Sequence, residues 1–261
     1  MIEKHTQSSA DKETKAPKSQ TLVRGFQIID AVADQPRSIQ EIAAITGLTY
    51  STVHRIIAVL LEQRYLKPEK SRGFTLGPRL IELGFSAYSR LDLVQLARPF
   101  LEELSAQTRD TVHLARREGW EVVYLDKLSG ARPVEISSRV GGRKPLISTG
   151  VGKALLLDEP TSVLEQIYER DHAHLPDGSS LDGWLGMMAR YQTGGYSYDL
   201  GEDTPSIRCV SAPLRNATGE IVAAVSVSST YEYMDAARMK ELIAVLQNTA
   251  INISRELGFQ A

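Results

Sequence analysis

From Thr21 onward apolar residues recur at helical spacing, and Leu22, Phe26, Ile29 and Ala33 predict one buried face of a helix that Pro36 closes. The segment before it, residues 1–20, has almost no large apolar side chains and predicts a flexible tail. Ser38-Ile39-Gln40-Glu41 reads as a capping box, in which the Ser38 hydroxyl and the Glu41 carboxylate satisfy each other's backbone amides. The helix it opens would bury Ile42, Ala43 and Ile45 and stop at Gly47. Thr49 then serves as N-cap of a third helix carrying Val53, Ile56, Ile57, Leu60 and Leu61. Two short helices separated by a glycine turn make a helix-turn-helix. Tyr65-Leu66-Lys67 and Gly73-Phe74-Thr75-Leu76, on either side of the polar turn 68–72, add a β-hairpin wing.

Gly77-Pro78 punctuates the chain, and Pro78 suits the first turn of another helix. That helix, through Leu80, Ile81, Leu83 and Phe85 to about Leu91, is more apolar than a lone linker needs to be. A further helix starts near Asp92, with Leu96, Phe100, Leu101 and Leu104 at helical spacing. Beyond Asp110 the period changes to that of strands: 111–115 and 121–125 around Glu118-Gly119, then 133–138, then 208–214 and 221–228 joined by the turn 216–219. One helix begins near Gly150 and a last one runs from about Asp235 to Leu257. Strands and helices in this order predict an α+β fold: residues 21–77 a winged helix-turn-helix, 78–92 a helical linker, and 93–261 a second domain around an antiparallel sheet.

The chain has 261 residues, 42% of them hydrophobic and 24% charged, which excludes disordered, collagen-like and disulfide-scaffold classes. A lone cysteine, Cys209, excludes an intrachain disulfide and suits a reducing cytosol. No apolar run approaches the roughly 18 residues of a membrane span. Charge is uneven: residues 1–75 carry 11 Lys and Arg against 8 Asp and Glu, whereas the rest carries 19 against 24. A basic front and an acidic back fit a nucleic-acid module joined to a different one.

Catalytic templates fail. Gly150-Val151-Gly152-Lys153-Ala154 misses the phosphate-loop pattern twice, with Ile at 147 and Ala at 154. No nucleophile elbow and no His-Glu-x-x-His is present. Asp171, His172 and His174 read as a solvated loop beside Pro176-Asp177-Gly178 rather than a metal site, and Cys209, between apolar strand neighbours, as a buried thiol rather than a nucleophile. The expectation is no metal, no cofactor and no catalytic residue.

Three stretches give the chain a family resemblance: Thr46-Gly47-Leu48-Thr49-Tyr50-Ser51-Thr52-Val53-His54-Arg55, Gly73-Phe74-Thr75-Leu76-Gly77-Pro78-Arg79-Leu80, and Gly195-x3-Asp199-x2-Glu202-x6-Cys209-Val210-Ser211-x2-Leu214. Across about residues 21–258 the sequence resembles the IclR family of bacterial transcription regulators. It departs from that pattern at Arg215, where the family favours an aromatic residue or His, at Ser206, where glycine is common, and at Tyr50, where a basic residue is frequent. The resemblance implies a GAF-like second domain that grips a small, usually carboxylate-bearing effector. It maps the contacts onto Gly150, Val151, Asp199, Cys209, Ser226 and Ser228, with Ile136 and Ile207 as apolar wall. Backbone amides at a helix start favour an anion, and Ser226 and Ser228, two apart on a strand, share a face. The resemblance likewise implies that the third helix enters the DNA major groove, and Tyr50, Ser51, Thr52, His54 and Arg55 supply hydrogen-bonding groups there. Lys67, Lys70 and Arg72 on the wing and Arg24 on the first helix are candidate phosphate contacts.

The leading reading is therefore a cytoplasmic, effector-responsive regulator that binds double-stranded operator DNA as a homodimer, with pairing of dimers into tetramers left open and residues 78–91 as candidate dimer contact. Two alternatives stand beside it: a small-metabolite enzyme with a vestigial DNA-binding module, and a protein whose second domain binds another protein. The nature of the effector acid, whether aromatic, short keto or sugar acid, stays open.

Overall fold

The computed structural model describes residues 19–70, 72–133 and 135–260. The tail expected at 1–20 lies outside these, except for Ser19 and for Gln20, which opens the first helix. The chain divides into two compact units, the first ending at Leu91 and the second beginning at Asp92.

In the first unit, α1 (Gln20–Asp30), α2 (Ile39–Thr46) and α3 (Tyr50–Glu62) enclose a core of Ile28, Val32, Ile42, Val53, Ile56 and Ile57. The capping box forms as expected: Ser38 N donates to Glu41 Oε2 at 2.7 Å and Glu41 N to Ser38 Oγ at 3.3 Å. The axes of α2 and α3 differ by 113°, within the helix-turn-helix range. β1 (Leu66–Glu69) and β2 (Gly73–Leu76) form the wing, and Arg37 joins it by a two-hydrogen-bond bridge to Phe74. Pro78 starts α4 (Pro78–Tyr88), whose Ile81, Phe85 and Tyr88 are each more than 70% exposed.

Two expectations fail here. On α1 the buried residues are Gly25 and Ile28, while Leu22 and Phe26 are more than half exposed. The helix is apolar on two sides, and periodicity alone does not say which one meets α3. On α2, Ile45 is also exposed, because the roughly two turns of so short a helix present Ile42, with Ile39 and Ala43 beside it, to the core and turn Ile45 away.

The second unit contains α5 (Leu93–Thr108), β3 (Thr111–Glu118), β4 (Glu121–Leu128), β5 (Arg143–Pro145), α6 (Gly150–Leu155), α7 (Thr161–Asp171), α8 (Leu181–Gly194), β6 (Ser197–Asp199), β7 (Ile207–Arg215), β8 (Ile221–Thr230) and α9 (Ala236–Glu256). Six strands form one antiparallel sheet in the order β5-β4-β3-β8-β7-β6. Alternation along the central strands sorts side chains to its two faces. Val112, Val210, Val225 and Val227 pack with α5 and α9. Ala115, Val122, Tyr124 and Ala224 pack on the other side with α6, α7 and α8. The strand expected at 133–138 does not form, and Val134 is outside the described residues. Pro133 cannot donate to a ladder, and the Lys127 ammonium takes up the Ile136 and Ser138 carbonyls instead. The helices α7 and α8 and strand β6 carry too weak a period to have been read from sequence.

Candidate functional sites

On the α6 side of the sheet, polar residues interrupt the apolar face. Across the β7–β8 ladder Cys209 faces Ser228 and Ser211 faces Ser226, and across β3–β8 Thr111 and His113 face the same two serines. These rows floor a small cavity of about 50 Å³. All eight residues expected of an effector site line it: Ile136, Gly150, Val151, Asp199, Ile207, Cys209, Ser226 and Ser228.

The start of α6 comes unusually close to the sheet. A Cβ on Gly150 would lie 2.7 Å from Ser211 Oγ and 2.8 Å from Cys209 Sγ, so only glycine permits the approach. The Thr149 hydroxyl caps the Gly152 amide at 3.0 Å. The Gly150 and Val151 amides precede the first intrahelical donor and find no acceptor among the described residues. Burial pushes the Cys209 thiol up, as does nearby Asp199, and its sulfur lies 3.2 Å from Ser211 Oγ. That fits a packed, unreactive thiol.

Asp199 closes the cavity at the end of β6. Its Oδ1 accepts from Gly201 N at 2.8 Å and Glu202 N at 2.9 Å, folding the following loop into a tight turn. Burial, and then a hydrogen bond with the Glu202 carboxyl, raise its pKa to about 7 despite the Lys153 ammonium nearby. Burial acts on Glu202 in the same direction, but the ammonium of Lys153, a hydrogen bond from Asp199 and the Leu200 amide outweigh it and hold that carboxyl low. Lys153 is fully buried, and its Nζ donates to Glu202 Oε1 at 2.6 Å. Asp199 is thus the first of the pair to take up a proton.

Sequence reasoning missed several of the lining residues. His113 is 2% exposed; its Nε2 lies 2.7 Å from Ser138 Oγ and its Nδ1 3.4 Å from Ser226 Oγ. Burial, with the Lys127 ammonium beyond it, lowers its pKa to about 3, so the ring is neutral. Tyr124 packs against it with ring centroids 5.1 Å apart. Lys144 reaches across to Asp203 at 3.1 Å. Nothing near His113 in the chain marks it, since Ser138 and Ser226 are 25 and 113 residues away. His172 and His174 are exposed, and His172 stacks on Tyr168. Among the described residues no group of three His, Cys, Asp or Glu side chains could hold a metal.

In the first unit, the Thr49 hydroxyl caps α3 through Thr52 N and also meets the hydroxyls of Ser51 at 3.2 Å and Thr52 at 2.9 Å. With Val53, Ile56 and Ile57 turned inward, Tyr50, Ser51, His54 and Arg55 are exposed on the first two turns, and Thr52 is half-buried. Tyr50 and His54 stack with centroids 6.3 Å apart. Lys67, Lys70 and Arg72 are exposed on the wing, and Arg24 is half-buried on α1. The described ion pairs of this unit use Arg37, Arg64 and Arg79 instead, so the candidate cations are not neutralised by those acids.

Residues 85–255 match the family model for the bacterial transcriptional regulator IclR C-terminal domain, and residues 21–70 that for the IclR helix-turn-helix domain. The chain is 29% identical over 251 residues to the HTH-type transcriptional regulator XynR of Escherichia coli (strain K12), covering 94% of this chain and 100% of that one. It is 32% identical over 244 residues to the uncharacterized HTH-type transcriptional regulator RhmR of the same organism, covering 92% and 94%. The crystal structure of the Agobacterium tumefaciens repressor BlcR has a TM-score of 0.77 at 25% identity, covering 92% of this chain and 98% of that one.

Proposed function

Because the chain belongs to the IclR family, with a helix-turn-helix DNA-binding domain and a C-terminal effector-binding domain, we propose that its effector is a small carboxylate bound in the cavity and that occupancy changes operator affinity. The observation that carries this reading is the pair of unpartnered amides at Gly150 and Val151 opening onto a cavity whose lining includes the hydroxyl-bearing Ser138, Ser226 and Ser228. Two converging N–H groups accommodate a carboxylate, and Asp199, with its pKa raised to about 7 by burial and its proton shared with Glu202, repels an anion less than an ordinary carboxylate would. Ser226 and Ser228 orient the ligand from the sheet, with Ile136 and Ile207 as apolar wall.

The first two turns of α3 read the major groove through Tyr50, Ser51, Thr52, His54 and Arg55. Arg24, Lys67, Lys70 and Arg72 hold phosphates. A single such module offers too little area for a tight specific site, so the protein binds as a dimer. The exposed apolar residues Leu22 and Phe26 of α1, and Ile81, Phe85 and Tyr88 of α4, support these helices as the contact. The effector acts by binding one conformation of the sensor domain better than another, since equal affinity would shift nothing.

Fluorescence anisotropy tests both halves. The full chain is titrated against duplex from upstream of its own gene and against a shuffled duplex, at ~150 mM salt because phosphate contacts are steeply salt-dependent. A preference for the native duplex of roughly a thousandfold, altered by a carboxylate that saturates the cavity, is the expected result. No preference at any neighbouring promoter, with or without candidate acids, would sink the operator reading. Unchanged DNA affinity with a demonstrably bound acid would sink the coupling.

A further inference from the structure

The exposed side of α3 continues beyond the two turns that carry its polar groups. With Val53, Ile56 and Ile57 turned into the core, residues 51, 54, 55, 58, 59 and 62 share that side. Along it the chemistry changes. The first two turns present hydroxyls, an imidazole and a guanidinium, whereas the outward residues of the third, Ala58 and Val59, have no hydrogen-bonding side chain. Val59 is 53% exposed, and Ala58 is exposed beside it. Glu62, exposed on the following turn, sets the far limit, since a carboxylate is repelled by the dense negative charge of a duplex.

The fold does not account for these two residues. Neither belongs to the apolar cluster of the first unit, which takes Leu60 and Leu61 from the same turn. Nor does helix formation favour a valine there, because its branched side chain loses rotamer freedom that a long polar residue keeps. The major groove offers one feature that an apolar surface recognises, the C5-methyl group of thymine, and alanine is among the side chains that contact it. Helix geometry says where that group would lie. Val59 is four residues beyond Arg55, or ~6 Å along the axis, and base pairs stack ~3.4 Å apart. The methyl group therefore belongs to a pair within about two steps of the one Arg55 reaches. Ala58 stands in the same relation to His54. Ser51 and Ala58, seven residues apart, lie one above the other near the middle of the exposed side, and their small side chains allow a close approach to the base edges.

We propose that the third turn of α3 determines specificity by reading thymine: Ala58 and Val59 pack on C5-methyl groups within about two base pairs of the pair contacted by Arg55. This rests on the operator-binding reading. The helix then carries two codes in succession, donors and acceptors on its first two turns and methyl groups on its third.

The test begins with selection of a half-site by the full chain from a randomised duplex pool. Each thymine of the selected duplex is then replaced by uracil, which keeps every hydrogen-bonding edge and lacks only the methyl group, and affinity is read by fluorescence anisotropy. Burial of one methyl group is worth about fourfold, so uracil at one or two positions should weaken binding about fourfold per half-site. 5-Methylcytosine, which restores the methyl group, should bind better than cytosine at the same positions. Val59→Ser combined with Ala58→Ser removes the response to uracil and leaves the salt slope, set by phosphate contacts, unchanged; Val59→Ile keeps the response. Thermal midpoints confirm that the variants fold. A selected half-site without thymine, uracil tolerated at every position, or an undiminished response in the double variant overturns this inference and spares the operator reading. Loss of all binding by a folded double variant makes the third turn a positioning element and overturns it as well. A pool from which no sequence is enriched, with or without candidate acids, overturns both.

Discussion

The Lys153–Glu202 pair allows a stability prediction with a definite size. The Lys153 side chain is 0% exposed and its ammonium sits 2.6 Å from Glu202 Oε1, whose own side chain is 14% exposed. Glu202→Leu would strip the buried ammonium of its hydrogen-bonded counter-charge, leaving the Asp199 carboxyl as a weaker substitute. Breaking a buried pair from one side costs about 3–5 kcal/mol, whereas replacing both partners by apolar groups of similar size is often near neutral. Each kcal/mol shifts the midpoint by roughly 2–4 °C in a domain of this size, so Glu202→Leu should lower it by roughly 6–20 °C. Because water reaches the rim of Glu202, the lower half of that range is expected. Lys153→Met should cost less, since Glu202 retains the Leu200 amide and can share a proton with Asp199. The double variant should recover most of the loss. Scanning calorimetry of the four proteins at pH 7 closes the cycle. A coupling below ~0.5 kcal/mol, the level at which independent sites simply add, would refute the claim that the pair forms an electrostatic unit.

Other predictions concern single positions. A Cβ on Gly152 would meet the Leu146 carbonyl oxygen at 2.2 Å, which is backbone and cannot swing aside; Gly152→Ala should lower the thermal midpoint, while Gly84→Ala, with nothing within 4 Å on an exposed helix, should hold or raise it, and equal effects would refute the packing argument. Ser38→Ala removes the capping hydroxyl of α2 and should cost the first unit about 1 kcal/mol in urea unfolding; an unchanged midpoint would count against the cap. The ordinary histidine value of 6.5 falls to about 3 for His113 in the fold, so between these the unfolded chain binds a proton that the native chain refuses. Stability should then be unaffected by this residue above pH 6.5 and decline as pH falls toward 3. His113→Gln should flatten that part of the slope measured by denaturant titration at each pH, and identical slopes would contradict the assignment.

What the sequence made legible follows the range of the interactions involved. The capping box of α2, the Thr49 cap of α3 and the wing are encoded within a few residues, and local chemistry sufficed to find them. The buried side of α1 was misjudged because its choice depends on what α2 and α3 present, and the helix is apolar on both sides. The span 133–138 looks like a strand by composition, yet its carbonyls are claimed by Lys127 from a neighbouring strand. The cavity residues carried over from the motif Gly195-x3-Asp199-x2-Glu202-x6-Cys209 line one cavity, whereas His113, Lys144 and Lys153 went unnoticed. Each of those three finds its hydrogen-bond or ion-pair partner at least 25 positions away, 49 in the case of Lys153 and Glu202.

The alternation in β8 has an evolutionary consequence. Val225 and Val227 belong to the core beneath α5 and α9, whereas Ser226 and Ser228 face the cavity. The same ten-residue strand thus holds two interleaved records, one for foldedness and one for the chemistry of the cavity wall, written at odd and even positions. Lineages can rewrite the even positions by single substitution, changing what the cavity presents, without touching the odd ones. A one-residue insertion or deletion within the strand is a different matter. It would exchange the two records, turning valines into the cavity and serines into the core. Drift in such a strand should therefore proceed by replacement rather than by changes of length, and regulators with new ligands can arise on an unaltered scaffold.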